Sequence, residues 1–150
     1  MPHFENSRSI TIDAAPAAVH THLDDFHNWT AWSPWEELDP ELKRTYSGSD
    51  KGVGSHYAWV GNNKVGQGSM EITASTPERI DIDLEFLKPF KASNKTVFTL
   101  TAEGDGTRVD WAMSGERPLL FAILGKLFFD KAIAKDFDKG LAKLKAAAEA

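Results

Sequence analysis

The side chains with the chemistry for catalysis or metal binding are few in this chain, and most are scattered. His20, His22 and His27 crowd one stretch with Asp24 and Asp25. On one continuous helix His20, Asp24 and His27 stand at i, i+4 and i+7, share a face, and could hold a divalent metal. His20 and His22 diverge by about 200° on a helix and would not join such a site. The simpler expectation is a solvated helix face and no metal. The chain has no cysteine, which excludes disulfide scaffolds, thiolate zinc sites, iron–sulfur clusters and cysteine nucleophiles. No nucleophile elbow, His-Glu-x-x-His, P-loop or dinucleotide fingerprint occurs, and no cofactor is expected. Gly66-Gln67-Gly68 precedes no helix, so its glycines are read as structural. Acid–base chemistry in an apolar site needs a titratable group facing inward with a shifted pKa. The strand pattern offers Tyr57 as the inward candidate. Asp81, Asp83, Glu85, Glu71 and His56 fall on the other face, and Glu36, Glu37 and Asp110 form no carboxylate pair. The residues argue more for binding than for catalysis.

The elements that must position these groups are read from periodicity. Ser9 to Asp13 alternates around Ile10 and Ile12, a first strand. Ala14-Ala15-Pro16 opens a short helix with Val19, Leu23 and Phe26 as its apolar face. A second short helix carries Trp29 and Trp32 and ends at Pro34. Trp29, Trp32 and Trp35 either dock these helices on a sheet or form one lip of an entrance, opposite Phe90 and Leu119 to Phe129; docking is the favoured reading. Strands follow over Glu41–Ser47, Gly54–Gly61, Val65–Ser75, Ile80–Leu87, Thr96–Ala102 and Arg108–Ser114, with hairpin signals between most of them.

With Asn62-Asn63 as a two-residue turn, Trp59 lies opposite Gly66, Tyr57 opposite Gly68 and Ser55 opposite Met70. Each large ring then faces a glycine or continues to Met70 and Ile72 on one face. Ile80, Ile82, Leu84 and Phe86 join that face, with Ile82 beside Met70 or Ile72, if the acidic residues of their strand are to meet water. A turn at Gly104-Asp105 or Asp105-Gly106 puts Phe98, Leu100, Val109, Trp111 and Met113 on one face in either case.

From Pro118 to about Glu149 the pattern is helical, with Leu120, Ile123, Leu124, Leu127, Phe128, Ile133, Phe137, Leu141 and Leu144 at three- and four-residue spacing. Lys131, Lys135, Lys139 and Lys143 form a row on another face. Such a helix is roughly 48 Å long, more than a small sheet needs, so a bend is expected near Gly125 or Gly140. A curved sheet with one apolar face needs a cover, and this helix is the only element long enough. The expected fold is therefore α+β, a helix grip. A curved antiparallel sheet of six to seven strands wraps a long C-terminal helix, with two short helices after the first strand.

Length and charge bound the rest. One hundred and fifty residues fit a single domain, 1–150. The net charge of −5, from 17 basic and 22 acidic residues, argues against a nucleic-acid partner. No secretory signal is visible and the longest apolar stretch, Leu119 to Phe129, is too short to span a membrane, so a soluble cytoplasmic protein is expected.

The chain also shows a family resemblance. It is carried by Trp32-Ser33-Pro34-Trp35, Asp39-Pro40, Gly52-Val53-Gly54, Tyr57-Ala58-Trp59-Val60-Gly61-Asn62 and Gly66-Gln67-Gly68-Ser69-Met70. Pro89-Phe90, Gly106-Thr107 with Trp111, and Lys135-Asp136-Phe137-Asp138-Lys139-Gly140-Leu141 extend it. Over about Ser9 to Glu149 the chain resembles the bacterial polyketide cyclase/dehydrase and lipid-transport family, within the START-like, Bet v 1-like (SRPBCC) superfamily. The resemblance implies binding of apolar or amphipathic small molecules between sheet and helix. Some members catalyse aldol cyclisation or dehydration.

Three functions follow as expectations. The first is a carrier or sensor of a hydrophobic, lipid-like or aromatic polyketide-like molecule. Its lining would be Trp32, Tyr57, Trp59, Met70, Ile82, Leu84, Phe86, Phe98, Leu100, Trp111 and Met113 of the first helices and sheet. Leu120, Leu124, Leu127 and Phe128 of the helix would complete it. The opposing expectation is that these same rings fill the interior. The second function is a cyclase or dehydratase with Tyr57 as proton donor. The third is a protein-interaction module using Leu119 to Phe129 as an exposed patch. A monomer or weak homodimer is expected.

Overall fold

The turns between strands are short, so neighbours in sequence pair antiparallel. β2 (Lys43–Gly48), β3 (Ser55–Val60), β4 (Gln67–Thr76), β5 (Arg79–Lys88), β6 (Ala92–Glu103) and β7 (Gly106–Glu116) form a meander. β1 (His3–Ile12) pairs with β7 at the far edge, giving a seven-stranded sheet in the order β1-β7-β6-β5-β4-β3-β2. The chain crosses from β1 to β2 through α1 (Pro16–Leu23) and a 3₁₀ helix, Phe26–Ala31. It closes with one long helix, α2 (Leu119–Glu149). This helix-grip arrangement comes from a computed structural model that describes residues 3–33, 41–62, 66–88, 92–116 and 119–149. For 3, 4, 88, 92, 116 and 119–133 it describes the backbone alone. Pro34, Trp35, Glu36, Glu37 and Phe90 lie outside the described residues.

Several local causes are visible. Pro16 starts α1 after an extended Ala15, a position where its missing N–H costs nothing. The helix stops at Asp24, because Asp25 is extended and its carboxylate accepts from the His27 backbone N–H at 3.0 Å, opening the 3₁₀ turn. His20 and His27 therefore do not share one helical face, which corrects the i, i+7 expectation. The β6–β7 turn is Gly104-Asp105, with Glu103 paired to Gly106. Gly104 has φ +59 at the first central position, where two-residue hairpins commonly place glycine.

One register differs from expectation. Tyr57 pairs with Met70 and Trp59 with Gly68, two residues from the predicted alignment. The loop is longer than two residues, and Gly61 N–H and Gly66 O close it at 2.8 Å. A two-residue slip keeps every side chain on its face. Trp59 still meets a glycine, since a β carbon on Gly68 would stand 2.7 Å from the Trp59 ring. Ile82 does pair with Ile72, and a bulge between Ile72 and Ala74 then turns Ser75 to the side of Ile80.

The second half of α2 lies on this sheet. Phe137, Leu141 and Leu144 are buried, while Lys135 and Lys139 are exposed. Arg8 of β1 donates twice to Asp138, both bonds 2.8 Å, and the Asp138 carboxylate raises the Arg8 pKa. Glu149 accepts from the Asp13 N–H at 2.7 Å.

Candidate functional site

Directly paired residues project to the same side of a sheet, so the register sorts the concave face into rows. One row is Phe98 and Trp111 with Ile80. The next is Met113, Thr96, Ile82 and Ile72. The third is Gly115, Asn94, Leu84, Met70, Tyr57 and Tyr46, crossing six strands. The fourth runs through Phe86, Gly68, Trp59 and Arg44.

Burial changes steadily along these rows. Ile80 and Phe98 are 0% exposed and Trp111 is 1%. Leu84 and Met113 reach 7%, Tyr57 6% and Trp59 9%, while Met70 and Phe86 are half-buried. The closed end is an aromatic stack. Phe137 lies on Trp111 with ring centroids 3.9 Å apart and planes 4° apart, and Phe98 stacks on the same indole at 5.1 Å. Trp32 meets Phe98 and Trp111 edge-on at 5.9 and 5.5 Å. Its indole N–H donates to His22 O at 2.9 Å, and that of Trp29 donates to Leu23 O at 3.0 Å. Trp29 and Trp32 thus dock the short helices on the sheet. At the accessible end Tyr57 is 5.4 Å from Tyr46 and 6.1 Å from Trp59, and Trp59 meets Phe86 edge-on at 5.9 Å.

The structure therefore divides the sequence-predicted lining in two. Trp32, Ile82, Phe98, Leu100 and Trp111 belong to the packed layer under the second half of α2. Tyr57, Trp59, Met70, Leu84, Phe86 and Met113 are the less buried members of the concave rows. The side chains of Leu120, Leu124, Leu127 and Phe128 lie outside the described residues. Two concave residues were missed by the sequence reading, Asn94 and Thr96, 8% and 4% exposed. Their signal was present: both continue the parity of Phe98 and Leu100.

The acidic residues face outward. Arg79 holds Asp81 at 2.6 Å, Lys95 holds Asp83 at 3.1 Å, Ser93 donates to Glu85 at 2.6 Å, and Arg108 holds Asp110 at 3.2 Å. Asp110 is thereby assigned to the convex side. His27 turns to Asp25 at 2.7 Å and stacks on Tyr46. Among the described residues no group of three or more His, Cys, Asp or Glu is placed to hold a metal.

A depression of about 440 Å³ lies between α1 and the β4–β5 turn, lined by Pro16, Ala17, His20, Ser75, Thr76 and Pro77. There His20 Nε2 is 3.2 Å from Ser75 Oγ, and His20 Nδ1 is 3.5 Å from Asp24. The order carboxylate–imidazole–hydroxyl is that of a proton relay, but 3.5 Å is long for the bond that would fix the imidazole tautomer. The cluster ties α1 to β4.

Comparison with known proteins agrees with this geometry. The structure matches one from Chromobacterium violaceum at TM-score 0.69 and 15% identity, covering 97% of both chains. It matches a dimer from Colwellia psychrerythraea at 0.70 and 19%, covering 97% of this chain and 96% of that one. The di-domain ARO/CYC StfQ from the steffimycin biosynthetic pathway matches at 0.71 and 13%, over 98% of this chain and 51% of its own. These likenesses show a shared fold. No curated protein matches the chain in sequence. The profile described as polyketide cyclase / dehydrase and lipid transport matches residues 3–149, nearly the whole chain, so the protein belongs to that family.

Proposed function

We propose that the protein binds a hydrophobic small molecule, lipid-like or aromatic, over the less closed rows of the concave face and beneath the first half of α2. The observation that carries this reading is the rise in exposure from the Phe98–Trp111 row to Tyr57, Trp59, Met70, Leu84, Phe86 and Met113. These six residues offer apolar area, two adaptable thioethers and the polar tips of one phenol and one indole, which suits an apolar guest held in orientation. A guest burying about 300 Å² of apolar surface gains roughly 7 kcal/mol before the costs of association. Family membership and the fold shared with StfQ support the same ligand class.

The test is displacement of a fluorescent fatty acid and of a fluorescent flavonoid, together with mass spectrometry of compounds extracted from the purified protein. Binding of at least one class, weakened about tenfold or more by Trp59→Ala, is the expected result. Failure of every apolar class to bind the wild type overturns the proposal.

Family membership also supports a cyclase or dehydratase; in that reading Tyr57 would be the proton donor. Tyr57→Phe separates the two: a carrier retains binding, whereas an enzyme retains binding and loses turnover. In the described residues no helix is long and apolar enough to cross a membrane. The protein-interaction alternative rests on Leu119 to Phe129, whose side chains lie outside the described residues.

A further inference from the structure

Where α1 meets the end of β4, a hydroxyl, an imidazole and a carboxylate come together. Strict alternation would carry Ser75 to the convex side, since Met70 and Ile72 face the concave one. The irregularity between Ile72 and Ala74 reverses that parity and pairs Ser75 with Ile80, so the hydroxyl meets α1. Ser75 Oγ lies 3.2 Å from His20 Nε2. The other ring nitrogen, Nδ1, faces Asp24 at 3.5 Å, one helical turn further along the chain. Bulges that re-aim a side chain in this way recur beside active sites.

The order hydroxyl, imidazole, carboxylate is the one that activates a serine for acyl transfer. His20 and Ser75 both line the depression of about 440 Å³ between α1 and the β4–β5 turn. Ser75 is half-buried, and the His20 and Asp24 side chains are 20% and 15% exposed, so the group is shielded yet reachable. Asp24 is anchored through its main chain: its N–H donates to His20 O at 3.0 Å, and its O accepts from Gly52 N–H at 2.8 Å. A shift of its carboxylate by about 0.5 Å completes the bond to Nδ1–H, and catalytic hydrogen bonds are often this long before substrate enters. Ala17 lines the same depression, and its N–H, in the first turn of α1, meets no acceptor among the described residues. Such a donor can steady a developing oxyanion. The described lining carries no lysine or arginine, which suits a small, uncharged acyl group.

We propose that Ser75, His20 and Asp24 form an acyl-transfer site that hydrolyses small uncharged carboxylic esters. Ser75 Oγ bonds to the ester carbonyl carbon as its proton passes to His20 Nε2. The tetrahedral adduct then breaks its bond to the leaving oxygen, which departs as the alcohol with that proton. Water gives a proton to His20 Nε2 and attacks the acyl-serine; the acid is released and the proton returns to Ser75 Oγ. One ester and one water become one acid and one alcohol. Asp24 is a positioning residue that acts through His20, holding the tautomer whose Nε2 accepts. None of these residues belongs to the lining assigned to the hydrophobic guest, so neither reading depends on the other.

The test treats the full chain with diisopropyl fluorophosphate, which phosphorylates activated serines, and follows release of 4-nitrophenol from 4-nitrophenyl acetate. The expected result is a diisopropylphosphoryl group located on Ser75 by peptide mass spectrometry, with loss of turnover in step with labelling. Ser75→Ala should abolish turnover, and His20→Gln should slow both reactions by about a hundredfold or more. Asp24→Asn keeps the side chain's shape; it should lower kcat about tenfold or more while KM changes by less than about twofold, a split that a merely structural role would not give. Wild-type protein whose Ser75 stays unlabelled overturns the inference without recourse to any variant. Hydrolysis that survives Ser75→Ala also overturns it, because an imidazole acting alone then accounts for the turnover. Labelling of Ser75 at an unchanged rate in His20→Gln overturns the relay.

Discussion

Phe137→Ala tests the division of the interior into a packed and an accessible end. Phe137 is fully buried on α2 and lies flat on Trp111 at 3.9 Å. Truncating a buried phenylalanine costs about 3–5 kcal/mol, and loss of a stacked partner places this site toward the upper end, about 4–5 kcal/mol. For a chain of this size each kcal/mol moves Tm by about 2–4 °C, so a fall of roughly 8–20 °C is expected. Urea denaturation followed by tryptophan fluorescence reads the loss, and Trp111 reports on the site directly. Binding of an apolar probe below the melting range should change by less than about threefold, because the ring belongs to the packed end. A cost under about 1.5 kcal/mol would refute the packing argument. Loss of binding by a folded variant would refute the division itself.

Two further perturbations follow from the same geometry. Gly68→Ala would put a methyl 2.3 Å from the Glu85 carbonyl oxygen and 2.7 Å from the Trp59 ring, so it should cost about 1–3 kcal/mol and displace Trp59. Unchanged stability and unchanged tryptophan emission would disprove the close approach. The Glu149 carboxyl is held below its ordinary value of 4.5 by Lys145 and by the Asp13 N–H. A lowered folded pKa means that the contribution is present above the unfolded pKa and is lost as pH falls through the folded one. Wild type should therefore exceed Glu149→Gln in urea midpoint near neutral pH, with the difference shrinking as pH falls through and below the ordinary glutamate range; a difference that widens on acidification would contradict the assignment.

How much of this was legible beforehand depends on the range of each cause. Strand faces were legible because alternation is local and parity survives error. The β3–β4 pairing lies two residues from the predicted one, yet Tyr57, Trp59, Met70 and Ile72 remain inward. The last hairpin kept Phe98, Leu100, Val109, Trp111 and Met113 together whichever turn was used. Short-range breaks were less legible. The end of α1 at Asp24 depends on the Asp25 carboxylate capping His27, and this removed the face that His20 and His27 were expected to share.

Residue types and their period were enough to set the α+β class, the antiparallel meander and the apolar side of the sheet, since each of these follows from neighbours a few positions apart. Which rows of the concave face α2 closes was beyond them. It depends on Phe137 reaching Trp111 and on Arg8 reaching Asp138, contacts between chain segments that only folding brings together. The same holds for Asn94. Its inward parity can be read from Phe98, but that no donor among the described residues reaches its Oδ1 is a property of everything that surrounds it. Periodicity assigns a side chain to a face; burial and satisfaction are sums over the whole fold.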